Sequence, residues 1–282
     1  MSLSKACVIA AINTQTNNGT TLDYIRLAGI AAERARYFLG VPVFLLTDTI
    51  YNKSIDLPMF DGVMSYKPGK TSKRAMLAGT DTITYEWHND VRVNAYELTH
   101  GLADKILMID ADYMIGSDTL TPWLNTDIPF QIFNHAVDVL NKGSYPNKHF
   151  PSNDVIQRWA TAMCWDSSQE AETIFETAQM VRDNYEFYAL MLGMSRAPFR
   201  NDVAFSVACH LHSVPYMAKP QLFNLPADSY LFTRNEKESS HRWLIQDGHY
   251  LNLWDGDLHI LNKAYAMDDA LMNELRLTNV TA

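Results

Sequence analysis

The run Ile106-Leu107-Met108-Ile109, followed at once by Asp110-Ala111-Asp112, constrains this chain more than any other stretch. Four apolar residues, two of them β-branched, make a run too short for a helix, and they read as a buried strand. Alternate side chains of a strand share a face, so Asp110 and Asp112 are expected to point the same way with the small Ala111 leaving room between them. Two carboxylates at the C-terminal end of a buried strand lie where open α/β sheets bind ligands. There they would form a hard-oxygen site for a divalent ion that bridges to a diphosphate. The same three residues also fit a pair of solvated loop aspartates; the buried strand directly before them favours the site.

The residues upstream supply the rest of an α/β unit. Ala6 to Ile12 is an apolar run that ends in the polar loop Asn13 to Thr21, and it predicts the first, central parallel strand. Leu22 to Leu39 places Ile25, Ala28, Ala32 and Ala35 at helical spacing and stops at Gly40, as an amphipathic helix does. Val41 to Asp48 is a second strand, and strand, helix, strand implies a right-handed parallel crossover. With 282 residues, 47% of them hydrophobic, the chain can bury one large core. A balance of 23 basic against 32 acidic residues, a formal charge of −9, disfavours a broad face for a nucleic-acid backbone. No apolar stretch reaches membrane-spanning length, and the N-terminus enters a strand without a secretory apolar region. Cys7, Cys164 and Cys209 are widely separated in apolar surroundings, which predicts no disulfide framework and a reducing, cytoplasmic setting.

The segment from Asp48 through Gly69 is rich in turn formers and reads as a loop, with Lys67, Lys70, Lys73 and Arg74 concentrating positive charge at its far end. Lys67 and Lys70 read as solvated, whereas Arg74 precedes the apolar Ala75-Met76-Leu77-Ala78 and suits an anchored role near a phosphate as well as a structural one. Gly69-Lys70-Thr71 is not a phosphate-binding P-loop, because Met64 stands where that motif needs its first glycine. Thr119 to Asn153, interrupted by four prolines, reads as irregular. Ile156 to Trp165 has strand composition, and Ser167 to Met191 reads as an amphipathic helix in two joined pieces.

Val91 to Leu98 reads as a short helix packed on the Asp-x-Asp strand. The run Arg92-Val-Asn-Ala-Tyr-Glu-Leu98, a short turn, then Ala103 to Asp112 resembles the corresponding segment of GT-A glycosyltransferases. The likeness is greatest to the glycogenin-like and lipopolysaccharide-galactosyltransferase-like retaining enzymes. It implies a GT-A fold, a Rossmann-like mixed sheet flanked by helices with an irregular acceptor-side half. Residues 1–282 would form one such domain, with the nucleotide-binding half at about 4–120 and the acceptor half with its closing segment at about 121–265. By the same resemblance Asp110 and Asp112 hold manganese or magnesium, Ala111 between them lies at the nucleotide, and a UDP-sugar is the usual donor. Arg92 takes the place of a basic residue, commonly lysine, that reaches the sugar-phosphate region, and the change keeps the charge while altering its geometry. The base and ribose would meet loops around Asn13 and Asp48, with Arg74 near the phosphates.

Two later islands extend the resemblance. In Phe199-Arg200-Asn201-Asp202-Val203 a polar triplet opens an apolar helix, and Asn201 or Asp202 could be its N-cap. The pattern also resembles the family's acidic segment beside the sugar and acceptor, which implies catalytic roles for Asp202 and Asn201; a dual role for Asp202 is the working expectation. His210 and His212 further along read as structural. In Asp257-Leu258-His259-Ile260-Leu261-Asn262-Lys263, His259 and Lys263 are four apart and can converge on one site. The family's late segment, His-x-x-Gly-x-x-Lys, supplies a third protein ligand to the metal and a lysine to the diphosphate, which implies those roles for His259 and Lys263. This chain has Leu261-Asn262 in place of that glycine and a shorter spacing.

Together these features favour a metal-dependent glycosyltransferase that moves a sugar from a nucleoside diphosphate sugar to a carbohydrate or other hydroxyl acceptor; the resemblance further implies a UDP-sugar donor and retention. A modified DNA base stays among the acceptors and is disfavoured by the net charge. Two rival classes share parts of the pattern. A sugar-nucleotide nucleotidyltransferase would need a glycine-rich loop after the first strand, where this chain has Asn13-Thr14-Gln15-Thr16-Asn17-Asn18-Gly19. A non-catalytic nucleotide- or carbohydrate-binding protein could use Trp159, Trp165, Trp243 and Trp254 as stacking platforms.

Overall fold

The structure is a computed structural model that describes residues 3–48, 58–69, 72–78, 81–88, 90–138, 144–146, 150–151, 153–194, 198–216, 220, 222–225, 231–234, 242–245, 250–252 and 257–277. It begins with β1 (Leu3–Ala10), in which Ala6 and Val8 are buried on one face and Cys7 and Ile9 on the other. A strand buried on both faces needs no polar alternation, which is why this run is continuously apolar. The predicted polar loop is instead a tight hairpin of β2 (Thr14–Gln15) and β3 (Thr21–Leu22). Helix α1 (Tyr24–Leu39) follows. Asp23 caps it by accepting from the Arg26 N–H, and Gly40 ends it in the left-handed region at φ 63°. Then β4 (Val43–Asp48) returns parallel to β1, which completes the predicted crossover.

Beyond β4 the structure corrects the sequence reading. Part of the supposed loop is β5 (Gly62–Tyr66), which pairs parallel to β4 at the sheet edge. Of the basic residues, Lys73 and Arg74 lie in β6 (Ser72–Ala78), which forms an antiparallel hairpin with β7 (Asp81–Trp87). A 3-10 turn, Arg92–Asn94, leads into the one-turn helix α2 (Ala95–Leu98), as expected, and then comes β8 (Ala103–Asp110). A two-residue strand β9 (Tyr113–Met114) leads into the stretch read as irregular, which opens with a short helix, α3 (Thr121–Leu124). That stretch contains β10 (Phe130–Phe133), β11 (His135–Asp138) and β12 (Ser144–Pro146), so it is an integral part of two sheets.

The predicted strand and paired helices are present as β13 (Trp159–Asp166), α4 (Gln169–Asp183) and α5 (Tyr185–Met191), with Ser168 capping α4 by accepting from the Ala171 N–H. Helix α6 (Asn201–Leu211) is followed by β14 (Leu222–Leu225), β15 (Leu231–Arg234), β16 (Arg242–Ile245), β17 (Tyr250–Asn252), β18 (Leu258–Ile260) and α7 (Asp269–Glu274). The main sheet runs β10-β13-β8-β1-β4-β5. Its middle strands are parallel, whereas β13 lies antiparallel to β8 and to β10. This is the predicted α/β architecture with a mixed sheet. A second sheet, β12-β11-β14-β18-β9, and a three-stranded sheet of β15, β16 and β17 complete it.

Each face of the main sheet buries its own core. Leu107 and Ile109 of β8 join Cys7, Ile9 and Leu45 under α1. Ile106 and Met108 point the other way, into an aromatic cluster covered by α4 and α6. In that cluster Phe175 meets Phe130, Trp165 and Phe205 at ring-centroid distances of 5.6, 4.9 and 5.4 Å. Trp165 is therefore core and not a stacking platform, and Trp159 is half-buried against the core on the α1 side. Trp243 lies in β16 with its side chain, like all of Trp254, outside the described residues. Phe175→Ala should lower stability by about 3–5 kcal/mol, a typical cost of emptying a large aromatic site. Met180→Ala on the exposed side of α4 should change it by no more than about 0.5 kcal/mol, both read from urea unfolding midpoints at constant m-value.

Candidate functional site

Strand β8 stops at Asp110, and a turn through Ala111 and Asp112 leads directly into β9. The two carboxylates are brought together by that turn and not by strand alternation, since Asp112 lies beyond the last strand residue. The second sheet then delivers the distant partners. In register, His259 of β18 lies opposite Tyr113 of β9, and the Ile260 N–H donates to the Asp112 carbonyl at 2.8 Å. Asp257, just before β18, pins this junction by accepting from the Tyr113 hydroxyl (2.8 Å), the Gly116 N–H (3.0 Å) and the Ser117 hydroxyl (3.3 Å). Burial pushes the Asp257 carboxyl up to about 6, against the pull of those three donors.

His259 Nε2 stands 3.4 Å from an Asp112 oxygen and 3.9 Å from an Asp110 oxygen. One potential ligand atom from each of Asp110, Asp112 and His259 falls within 4.8 Å of the others. Two carboxylates and one imidazole make a mixed, mainly hard donor set that suits manganese or magnesium with further oxygen ligands from a substrate. The charges are closely balanced. Arg92 pairs with Asp110, and Lys263 with Asp112. Burial alone would raise the Asp112 carboxyl, but Lys263 and His259 hold it far below the carboxylate range. Burial would pull the Lys263 ammonium down, and the Asp112 carboxylate keeps it above the usual lysine range.

The two carboxylates and their two cations open onto a cleft at the C-terminal ends of β1 and β8; His259 stands beside the carboxylates and is not among the lining residues. Arg92, Asp110, Ala111, Asp112 and Lys263 line it, as do Ala10, Ala11 and Ile12 at the end of β1. The other expected residues lie elsewhere. Asn13 is turned to the start of α1, where its amide nitrogen donates to Asp23 at 2.9 Å and its oxygen accepts from the Ile25 N–H at 2.8 Å. Asp48 ends β4 opposite Tyr66 and is not among the cleft-lining residues. Arg74 lies opposite Tyr85 in the β6–β7 hairpin, with its side chain, like Lys70, outside the described residues.

Asp202 is not the N-cap of α6. Arg200 occupies that position, and the Asp202 carboxylate accepts from the Ala160 N–H of β13 at 2.9 Å while pairing with Arg200 at 3.0 Å. Ala162 pairs with Ile109, so the antiparallel register brings Ala160 level with the turn after β8. Asp202 thus stands at the same end of the sheet, across β13. Asn201 beside it is buried. His212 shares a hydrogen bond with Thr177 at 2.7 Å, in keeping with the structural reading of that residue.

Several cleft and support residues go beyond those expected from the sequence. Tyr24 and Thr14 line the cleft, and the β6–β7 hairpin adds Tyr85 and Glu86, with His88 just beyond. Thr82-Ile83-Thr84-Tyr85 carries the β-rich alternation that signals such a strand. Behind Arg92, the Asn94 amide uses its full hydrogen-bonding capacity. It donates to the Tyr66 hydroxyl (3.3 Å) and the Asp90 carbonyl (3.1 Å), and accepts from Gln179 (3.3 Å) and Arg182 (2.9 Å).

No protein-family model and no curated protein matches the chain. Among solved structures it is similar to the glycosyltransferase GlyE of Streptococcus pneumoniae TIGR4, at 15% identity and a TM-score of 0.41 over 78% of this chain and 45% of that one. It is also similar to an active-site mutant of LgtC, at 14% identity and a TM-score of 0.43 over 72% of this chain and 69% of that one. The galactosyltransferase LgtC with donor and acceptor sugar analogues aligns at 14% identity and a TM-score of 0.41 over 72% and 70%. The chain spans less than half the length of the GlyE chain it matches.

If Asp110, Asp112 and His259 form one ion site, Asp110→Asn and Asp112→Asn should each abolish Mn²⁺ binding in calorimetry, with unchanged circular dichroism. His259→Ala should weaken binding less than either. Lys263→Met removes the internal partner of Asp112, so it should bind Mn²⁺ alone more tightly than the unaltered protein does; equal or weaker binding would show that Lys263 does not compete for that carboxylate.

Proposed function

We propose that this protein is a metal-dependent glycosyltransferase that takes its sugar from a nucleoside diphosphate sugar, with UDP-sugars as the first donors to test. The observation that carries this reading is the convergence of two carboxylates and two cations lining one cleft above parallel strands, with an imidazole close beside the carboxylates. Carboxylates and imidazole suit a divalent ion, and Arg92 and Lys263 suit the two phosphates that remain to be neutralised. The resemblance of Arg92 to Leu98 and Ala103 to Asp112 to GT-A enzymes supports the same assignment. The acceptor is a carbohydrate or another hydroxyl compound, and among the described residues no helix is long and apolar enough to cross a membrane.

In this reading the anomeric C–O bond to the diphosphate breaks and the acceptor oxygen forms the new bond. A divalent ion at Asp110, Asp112 and His259 would supply positive charge to the leaving diphosphate. Arg92 and Lys263 hold its oxygens and stabilise the charge that develops there. With retention, the leaving diphosphate accepts the acceptor's proton on the face from which it departs, so Asp202 orients the sugar or acceptor without acting as base. Asn201 supports it from the first position of α6.

The test of the whole reading is a panel of nucleotide sugars screened for Mn²⁺-dependent hydrolysis without acceptor, because hydrolysis reports the donor while the acceptor is unknown. Silence across the panel, with no binding of any nucleoside diphosphate, would refute the assignment. Losing a charged hydrogen bond to phosphate costs about 1.5–3 kcal/mol, so Arg92→Ala and Lys263→Ala should each bind UDP roughly ten- to a hundredfold more weakly. Uridine should bind as before; equal loss of both would mean that these residues serve the shape of the cleft.

Asp202→Asn separates the two stereochemical cases. Under retention it should impair transfer while preserving part of it, since an amide still hydrogen-bonds. Near-complete loss, together with an NMR spectrum in which the first-formed product has the opposite anomeric configuration to the donor, would instead make Asp202 a general base.

A further inference from the structure

His259 is held from behind. Its Nδ1 lies 2.8 Å from the side-chain oxygen of Asn224, and Asn224 stands in register with His259 across the parallel pair β14–β18. An amide oxygen can only accept, so Nδ1 carries a proton and Nε2 is the nitrogen turned to Asp110 and Asp112, a donor to them while the ring is charged; once neutral, with its proton on Nδ1, the ring offers them its Nε2 lone pair. That tautomer is the one an ion at those carboxylates requires. Asn224 interrupts an otherwise apolar strand, Leu222-Phe223-Asn224-Leu225, whose ends Leu222 and Leu225 are fully buried. A polar group at that position has a cost that its hydrogen bond to the ring offsets.

We propose that Asn224 is a positioning residue that fixes the orientation and tautomer of His259 for a divalent ion. This rests on reading Asp110, Asp112 and His259 as an ion site. A ligating histidine whose other nitrogen is hydrogen-bonded keeps its ring in place and its ligand nitrogen basic, and loss of such a partner typically lowers metal affinity about 10- to 100-fold. The Asn224 oxygen meets the ring on the side away from the two carboxylates, so its effect passes through the imidazole.

The test uses the full chain with Mn²⁺ alone, in calorimetry or by electron paramagnetic resonance of the free ion. Asn224→Leu, similar in volume and without an acceptor, should bind Mn²⁺ roughly 10- to 100-fold more weakly. Asn224→Asp restores an acceptor and should recover most of that loss. In a His259→Ala background, Asn224→Leu should add less than about a twofold further change, because coupled residues are not additive. An equal loss with and without His259, or no loss in Asn224→Leu, would overturn the proposal.

A second readout needs no metal. Nitrogen-15 NMR of the histidine rings, recorded at a pH where the ring is neutral and with His259 assigned by its disappearance in His259→Ala, should show the Nδ1–H tautomer in the unaltered protein and a shift toward Nε2–H in Asn224→Leu. An Nε2–H ring in the unaltered protein would refute the role of Asn224. Failure of the unaltered protein to bind Mn²⁺ with the Nδ1–H tautomer intact would refute the ion site while upholding the orientation of the ring by Asn224, so the two failures are distinguishable.

Discussion

Two carboxylates a few ångströms apart at the largely dehydrated end of an interior strand cannot both stay ionised unless positive charge is held against them, and this requirement organises the structure around the end of β8. Asp112 is buried beside Asp110, and each has its own cation. Arg92 reaches Asp110 from the turn that packs on the α4–α6 side, with Val91 and Val93 anchored in that core. Lys263 reaches Asp112 from the opposite side, where Tyr265 and Ala266 are anchored in the core under α1. The two layers of the fold therefore meet at the site as charges, one cation from each.

That arrangement explains why so much polar structure lies behind the cleft and not in it. A cation is useful there only if its main chain does not move, and a one-turn 3-10 helix has little stiffness of its own. Asn94 compensates by tying the turn to β5 and α4 through its side-chain hydrogen bonds. On the other side, Asp257 fastens β18 to β9 and the segment after it, and β9 begins at the residue following Asp112. An error of about an ångström at either anchor would be felt directly at the carboxylates.

The central parallel strands β1, β4 and β8, α1 and the α4–α5 pair are legible in the sequence because burial on two faces or along one helical stripe imposes a pattern that any short window shows. Edge and second-sheet elements are not. Gly62-Val63-Met64-Ser65-Tyr66 mixes glycine and serine into a strand only partly buried at the sheet edge, so its composition resembles a loop. The prolines between Thr119 and Asn153 suggest irregular structure, but Pro129 stands just before β10 and Pro146 ends β12, positions where a missing N–H costs little. The β6–β7 hairpin has its signal in Thr82 to Tyr85, and on the partner strand Lys73 and Arg74 stand side by side before a short apolar run, which breaks the alternation that would mark a strand.

The site is legible where chemistry and local structure coincide, and illegible where a residue acts through another. Asp110 and Asp112 stand out because a carboxylate pair ending an apolar strand has few bland explanations. His259 and Lys263 share no local window with them, and only their four-residue separation and a partial resemblance to a family's late segment mark them in the sequence; in the structure the β9–β18 pairing brings them to Asp112. Asn224 and Asn94 have no such mark, because an amide in a short strand or turn looks the same whether it orients a functional side chain or merely satisfies the backbone. What distinguishes them is the identity of the group at the other end of the hydrogen bond. That group is fixed by strand register and layer packing, which no single segment of the chain encodes.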